Sequence, residues 1–177
     1  MTNNKEEFSV RTATSDDIEL VINFRKLLFK EMEISEESFI ENPWDEIRSL
    51  YLKELKEDRV RHFIAYTKDN VPVSIAGTLL KSDFPYYLFK PGFYGWIIDV
   101  YTVPDYRGNG LADRLMQYNH QWIKDKGGFE SKLIASGADA RKLYEREGYK
   151  PTWELSLSLT DTKTYNNLID ARVNNNA

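Results

Sequence analysis

The sequence predicts an α/β (α+β) fold in which a mixed, mostly antiparallel sheet is flanked by helices. Hydrophobic periodicity indicates elements in the order β-α-α-β-β-β-α-β-α-β, without an internal repeat. The chain has 177 residues, which is the size of one domain with a substantial core. We therefore expect a single domain over residues 1–177, with its core in residues 8–160.

The first third of the chain is predicted to form one strand and two helices. Residues 8–12 alternate in polarity like a strand. Thr14 and the acidic residues after it favour a helix start. That helix would bury a stripe formed by Ile18, Val21, Ile22, the Arg25 stem, Leu28, Phe29 and Met32. A second helical region over residues 35–55 is expected to be interrupted near Pro43.

The middle of the chain is predicted to contain a hairpin and a central strand. Residues 62–66 and 71–80 are expected to pair across a turn at residues 68–70. Residues 81–92 form a loop rich in aromatic side chains, which either line a substrate pocket or cap the core. Residues 93–100 alternate β-branched and aromatic residues with others, as a strand does.

The last third is predicted to alternate helix and strand. A helix over residues 111–126 would place Leu111, Leu115, Tyr118 and Trp122 on one stripe. The elements expected after it are a strand at 132–135, a helix at 139–147, a strand at 153–159, a helix at 164–173 and a disordered tail at 174–177.

Composition excludes several classes of function. The 24 basic residues against 28 acidic ones give a net charge of −4 without a basic cluster, which argues against nucleic-acid binding. Without cysteine and with two histidines, a metal site is not expected. No apolar run approaches the length of a membrane span, so we expect a cytoplasmic protein that does not bind membranes.

The turn between the central strand and its helix has the features of an anion site. Gly108 and Gly110 lie directly before the helix, so backbone N–H groups and the positive helix end would face a ligand together. A nucleoside-triphosphate loop is excluded because G-x-x-x-x-G-K-[ST] does not occur. A dinucleotide fingerprint is disfavoured, because Asp113 stands where close packing needs glycine or alanine.

Two motifs resemble those of the GNAT N-acetyltransferase superfamily. The segment 103–112 is similar to its coenzyme A pyrophosphate loop, [RQ]-x-x-G-x-[GA], with Arg107, Gly110 and Ala112 at the fixed positions. The segment 140–149 is similar to its second signature, A-x-x-L-Y-E-x-x-G-[FY]. The motifs occur in the expected order, and the resemblance covers residues 8–159. It implies a GNAT-like acyl-CoA N-acyltransferase fold with acetyl-CoA as cosubstrate and no metal.

The resemblance also implies which residues contact the coenzyme. The backbone amides of Tyr101 and Val103 would hold the pantetheine arm and the acyl carbonyl, and the N–H groups of residues 107–112 the pyrophosphate. Many relatives carry an asparagine at the position of Gly137, and Ser136 is the expected substitute for its contact. The predicted cofactor-binding residues are Tyr101, Thr102, Val103, Arg107, Gly108, Asn109, Gly110, Leu111, Ala112, Asp113, Ser136, Asp139 and Tyr144.

Two residues are candidates for catalysis. Tyr144 occupies the family's general-acid position and would protonate the departing sulfur; the alternative is that it only packs over the cofactor and core. Asp99 is a carboxylate within an apolar strand. It would take the amine proton through a water molecule, or bind a cationic substrate, or be held by a structural hydrogen bond. Glu33 and Asp83 are weaker candidates for contacting the amine.

The resulting hypothesis is an acetyl-CoA-dependent N-acetyltransferase that acetylates a primary amine by direct attack on the thioester. The acceptor is a small-molecule amine or a peptide or protein amine, and a homodimer is left open. The alternative is a non-catalytic acyl-CoA-binding or sensing domain.

Overall fold

The computed structural model describes residues 7–34, 42–84, 92–135, 137–152 and 154. Their elements are β1 (Ser9–Thr12), α1 (Ile18–Glu31), α2 (Pro43–Lys56), β2 (Val60–Tyr66), β3 (Pro72–Ser82), β4 (Phe93–Thr102), α3 (Leu111–Asp125), β5 (Ser131–Lys132) and α4 (Ala138–Arg146). This order confirms the prediction as far as α4. The expected strand at 153–159, the terminal helix and the tail lie outside the described residues, apart from residue 154.

The five strands form one sheet in the order β1-β2-β3-β4-β5. The first three pairings are antiparallel and the pairing of β4 with β5 is parallel, so the predicted mixed sheet is confirmed. Strand β5 is shorter than predicted, and it pairs only with Gly95 and Trp96 of β4. Beyond Trp96, β4 has no strand partner on this side among the described residues, and we call this stretch the open edge of β4.

The sheet separates two apolar clusters. On one face α3 buries Leu115, Met116, Trp122 and Ile123 in a cluster that also contains Ile97 and Tyr144. On the other face α1 and α2 bury Val21, Phe24 and Tyr51 in a cluster that contains Tyr101. The prediction that Met32 is buried was wrong, since this residue after α1 is 39% exposed. Of the stripe predicted on α3, Leu111, Leu115 and Trp122 are buried, whereas Tyr118 is 41% exposed.

A bulge in β4 reverses the side-chain alternation of that strand. Ile98 pairs with Gly77 and Tyr101 with Ile75, so β4 carries one residue more than β3 in this interval. Asp99 lies in the bulge with φ of 55°, a left-handed conformation that is uncommon for residues other than glycine. Regular alternation would place Ile97 and Tyr101 on the same face, but the bulge turns Tyr101 to the face of α1 and α2.

Candidate active site

The open edge of β4 presents the backbone of Thr102. The N–H of Val103 donates to the carbonyl of Val73 on β3 at 2.9 Å, and the carbonyl of Tyr101 accepts a hydrogen bond from Ser74 Oγ on the same strand at 3.0 Å. Backbone groups point alternately to the two neighbours of a strand, so Thr102, between them, faces the open edge. The expectation that the N–H groups of Tyr101 and Val103 face a ligand is therefore corrected, because the bulge changes which residues point outward.

The turn after β4 presents a row of free backbone N–H groups. The N–H of Arg107 is not one of them, contrary to expectation, because it donates to the carbonyl of Pro104 at 3.1 Å. In the described part of the chain, the N–H groups of residues 108–113 have no protein partner, and the first bond of α3 runs from Arg114 N–H to Gly110 O. Six free donors at the positive end of a helix form an anion site.

Two glycines give this turn its shape. Gly108 and Gly110 have φ of 79° and 71°, which other residues adopt only with strain. A Cβ at either position would meet no protein atom within 4 Å, so the space above both glycines is open to a ligand. The side chain of Asn109 stabilises the turn, because its Nδ2 donates a hydrogen bond to the carbonyl of Tyr106 at 3.0 Å.

The side chains at the turn are held by neighbouring helices. Arg107 pairs with Glu31 at the end of α1 and donates from Nε to the carbonyl of Thr102 at 3.0 Å. Asp113 accepts three hydrogen bonds from Arg146 of α4, two from Nη2 at 2.7 and 3.0 Å and one from Nε at 3.3 Å, which compensates its charge beside the anion site. Leu111 is buried and anchors the first turn of α3 in the core, while its N–H remains free.

Tyr144 combines a buried ring with an unpaired hydroxyl group. The side chain is 8% exposed and packs edge-to-face on Tyr149, with ring centroids 5.9 Å apart. Its hydroxyl has no hydrogen-bond partner among the described residues. Burial raises the pKa of Tyr144 to about 12, so the phenol stays protonated at neutral pH. A cavity of about 650 Å³ is lined by Tyr144 and by Trp96, the last residue of β4 that pairs with β5.

The remaining residues predicted to contact the coenzyme or the amine are exposed or lie outside the described residues. Asp139, in the first turn of α4, is fully exposed and lies 3.5 Å from Lys142, and Ser136 lies outside the described residues. Of the weaker candidates, Glu33 is exposed just after α1. Asp83 accepts a hydrogen bond from the N–H of Phe84 and is also exposed.

Asp99 is buried in a polar cluster that the sequence did not reveal. Its Oδ1 accepts a hydrogen bond from Arg25 Nη1 at 2.7 Å, and its Oδ2 lies 2.9 Å from His62 Nε2. Burial acts to raise the pKa of Asp99, but the hydrogen bond with His62 and the charge of Arg25 outweigh it, so the pKa is lowered and the carboxylate is ionised. The sequence contains only two weak indications of this cluster, namely an arginine on the buried stripe of α1 and a histidine in an apolar strand.

Two classes of site find no support in the described residues. No three His, Cys, Asp or Glu side chains of this part of the chain come together as ligands for a metal ion. Nor does any helix there have the length and apolar character needed to cross a membrane.

Comparisons with known proteins agree with this geometry. The model of the acetyltransferase (GNAT) family matches residues 24–149, whereas no curated protein matches the chain. A predicted acetyltransferase from Clostridium acetobutylicum, solved with acetyl-CoA, is 26% identical at a TM-score of 0.79, covering 86% of this chain and 97% of that chain.

Two further solved structures share the fold at lower identity. A GCN5-related N-acetyltransferase from Ralstonia eutropha is 23% identical, with a TM-score of 0.77 and coverage of 86% of this chain and 99% of the other. An aminoglycoside N-acetyltransferase solved with CoA is 18% identical, with a TM-score of 0.70 and coverage of 91% and 99%.

Proposed function

Because the chain belongs to the GNAT acetyltransferase family, we propose that it transfers the acetyl group of acetyl-CoA to a primary amine of a small molecule. Family membership supports acetyl transfer in general, and the proposal adds that the acceptor is a primary amine of a small molecule. The observation that carries the proposal is the row of free N–H groups at residues 108–113 beside the open edge of β4. An acyl donor with a diphosphate fits this arrangement, because its anionic and carbonyl groups need donors in these two places.

The cosubstrate would lie along the open edge and end on the turn. The diphosphate accepts hydrogen bonds from the N–H groups of residues 108–113, whose glycines leave room for it. Thr102 supplies a backbone N–H to an oxygen of the acyl-pantetheine arm. Arg107 is close enough to add charge once its side chain exchanges Glu31 for a phosphate.

The reaction needs one proton acceptor and one proton donor. An alkylamine with a solution pKa of roughly 10 is protonated at neutral pH and must lose a proton before it attacks the thioester. Asp99 is the proposed acceptor, acting through a water molecule because Arg25 and His62 hold both of its oxygens. The C–N bond then forms, the nitrogen loses its second proton to solvent, and the C–S bond breaks as Tyr144 gives its phenolic proton to the leaving sulfur. Tyr144 then regains a proton from solvent, and Asp99 releases to solvent the proton that it took from the amine.

Two observations favour a small cationic amine as the acceptor. The aminoglycoside N-acetyltransferase with the same fold is named for a small cationic amine. The present chain carries a net charge of −4, which attracts cationic acceptors over distance. A peptide or protein amine is the alternative that the test must separate.

The test is acetyl transfer to a panel of amines, measured as release of the free thiol. The panel contains an aminoglycoside, an amino sugar, a diamine and a lysine peptide, and calorimetry measures binding of coenzyme A separately. We expect thiol release that depends on one of the small amines. Tight binding of the coenzyme without turnover of any amine would indicate an acyl-CoA-binding or sensing domain, and an absence of binding heat would overturn the assignment as a whole.

A further inference from the structure

Buried polar atoms without partners are concentrated around Asp99. Across the described residues, four buried side-chain atoms lack a hydrogen bond, and three of them are Arg25 Nε, Tyr51 Oη and His62 Nδ1. Folded proteins leave few such atoms, because each loses its hydrogen bonds to water without replacement. Their clustering around one carboxylate indicates that this site is kept for a reason other than stability.

The imidazole of His62 is fixed in place from two sides. His62 is fully buried and pairs with Gly77 of β3. A Cβ at position 77 would lie 2.3 Å from the imidazole ring, so only glycine leaves room for it. On its other side the ring contacts Tyr51 of α2, with centroids 5.3 Å apart. The direction of Nε2 is therefore set by packing.

The bulge of β4 brings Asp99 to this imidazole. The left-handed conformation of Asp99 and the reversed alternation after it turn the carboxylate to the face where His62 lies. An ionised carboxylate only accepts hydrogen bonds, so Nε2 of His62 carries the proton of the 2.9 Å contact. The other ring nitrogen, Nδ1, has no hydrogen-bond partner among the described residues. Arg25 reaches the other oxygen, and its side chain is 27% exposed whereas those of His62 and Asp99 are 0% and 4% exposed.

We propose that His62 is a positioning residue for acetyl transfer: by donating from Nε2, it keeps the Asp99 carboxylate oriented and ionised so that it can accept the proton of the amine. This inference rests on the function proposed above. His62 acts only through Asp99, because it is sealed from the open edge of β4. Arg25 supports the same ionised state from the side that reaches solvent.

The groups around Asp99 should set how acetyl transfer depends on pH. Among the residues that the structure describes, the charged or titratable groups that face Asp99 are Arg25 from α1, Tyr51 from α2 and His62 from β2. On the neighbouring strand β3, His62 packs against Gly77, which has no titratable side chain. Burial favours the neutral acid, and the two donors oppose it. Removal of the His62 donor should raise the pKa of Asp99. As the pH is lowered, the variant would then lose the ionised carboxylate, and with it the activity, at a higher pH than the unmodified protein does.

The test compares His62→Leu, which removes the donor, with His62→Gln, which keeps an N–H near the position of Nε2 but has no imidazole. In His62→Leu we expect the acid limb of kcat/KM to move upward by about one pH unit or more. In His62→Gln it stays near its original position. The ¹³C titration of the Asp99 carboxyl, assigned by its loss in Asp99→Asn, should shift in the same way without any need for turnover.

Several outcomes would overturn the inference. They are an unchanged acid limb in His62→Leu, equal behaviour of the two variants, and a carboxyl titration that moves while the acid limb does not. If no amine is acetylated, the proposed function fails by itself, and the carboxyl titration still decides whether His62 controls Asp99.

A second pair of variants covers the case in which His62→Leu does not fold. Gly77→Ala places a methyl group against the His62 ring, whereas Gly95→Ala places one 2.2 Å from Ile123 on the opposite face of the sheet. Both substitutions overpack the sheet, but only Gly77→Ala is expected to move the acid limb of kcat/KM to a higher pH. An equal shift in both, or in neither, would overturn the proposal.

Discussion

The two regions that carry the proposed chemistry differ in almost every physical respect. The anion turn comprises residues 107–113, which are neighbours in sequence, and it offers backbone N–H groups at the surface. The Asp99 cluster comprises Arg25, Tyr51, His62 and Asp99, which come from four elements, with Arg25 and Asp99 separated by 74 positions. The cluster acts through side chains in the protein interior, and Asp99 as a whole residue is 7% exposed.

The difference shows how binding and chemistry are divided between local and long-range structure. Unpaired N–H groups at a surface are satisfied by water until a ligand arrives, so the turn needs only two glycines and a helix end. Unpaired atoms in the core remain unsatisfied, so the cluster depends on packing from α1, α2, β2 and β3. We therefore expect substitutions in the turn to change affinity for the coenzyme, and substitutions in the cluster to change turnover and its pH dependence.

The largest expected effect is that of Asp99→Asn. The amide cannot accept the amine proton, so we expect kcat to fall by roughly 10³-fold, within the range typical of general base catalysis. The dissociation constant for coenzyme A, measured by calorimetry, should not change, since the turn is untouched. Full activity across the pH range would remove Asp99 from the reaction and leave its cluster with a structural role.

Tyr144→Phe should have the next largest effect. Burial raises the pKa of Tyr144 to about 12, so the phenol is protonated at neutral pH. Loss of the hydroxyl group in Tyr144→Phe therefore removes a proton donor throughout the neutral range. We expect kcat to fall by roughly 10²-fold with little change in coenzyme affinity, which single-turnover and calorimetric measurements separate. A phenylalanine variant with normal turnover of a good substrate would show that Tyr144 only packs against the core.

Gly110→Ala tests the other side of the comparison, with Gly127→Ala as its matched control. Both glycines have positive φ, 71° and 85°, and a Cβ at either would meet no protein atom within 4 Å. Each variant should lose roughly 1 kcal/mol of stability in denaturant titration, because a side chain disfavours this conformation. Only Gly110→Ala should weaken coenzyme binding, by about tenfold or 1.4 kcal/mol. Equal affinities in the two variants would contradict the placement of the diphosphate.

The same division explains what the sequence could predict. The order of elements as far as α4 and the anion turn follow from local patterns, and both were predicted from residue types alone. Asp99 was identified because a carboxylate in an apolar strand is unusual. Its partners Arg25 and His62 were missed, because no local pattern records which side chains meet across a sheet.

The bulge produced the main errors within the site. One extra residue in β4 reverses the outward-facing positions after it, so Thr102 rather than Tyr101 or Val103 faces the open edge. No residue in this interval is a glycine that would have indicated a bulge, and the left-handed conformation falls on Asp99 itself. The engaged N–H of Arg107 has a similar origin, since it depends on the short 3₁₀ turn Pro104–Tyr106, which was not predicted.

The smallest expected effect joins the two regions through Glu31→Gln. Glu31 ends α1, the helix that also supplies Arg25, and it holds the side chain of Arg107 at the turn. Both partners are nearly half exposed, with side-chain exposures of 47% and 46%, so stability should change by less than about 1 kcal/mol. The released guanidinium can approach the diphosphate, and we expect coenzyme A to bind about two- to threefold more tightly, with the gain shrinking as salt screens the charge. Weaker binding in this variant would show that Glu31 orients Arg107 for the diphosphate instead of competing with it.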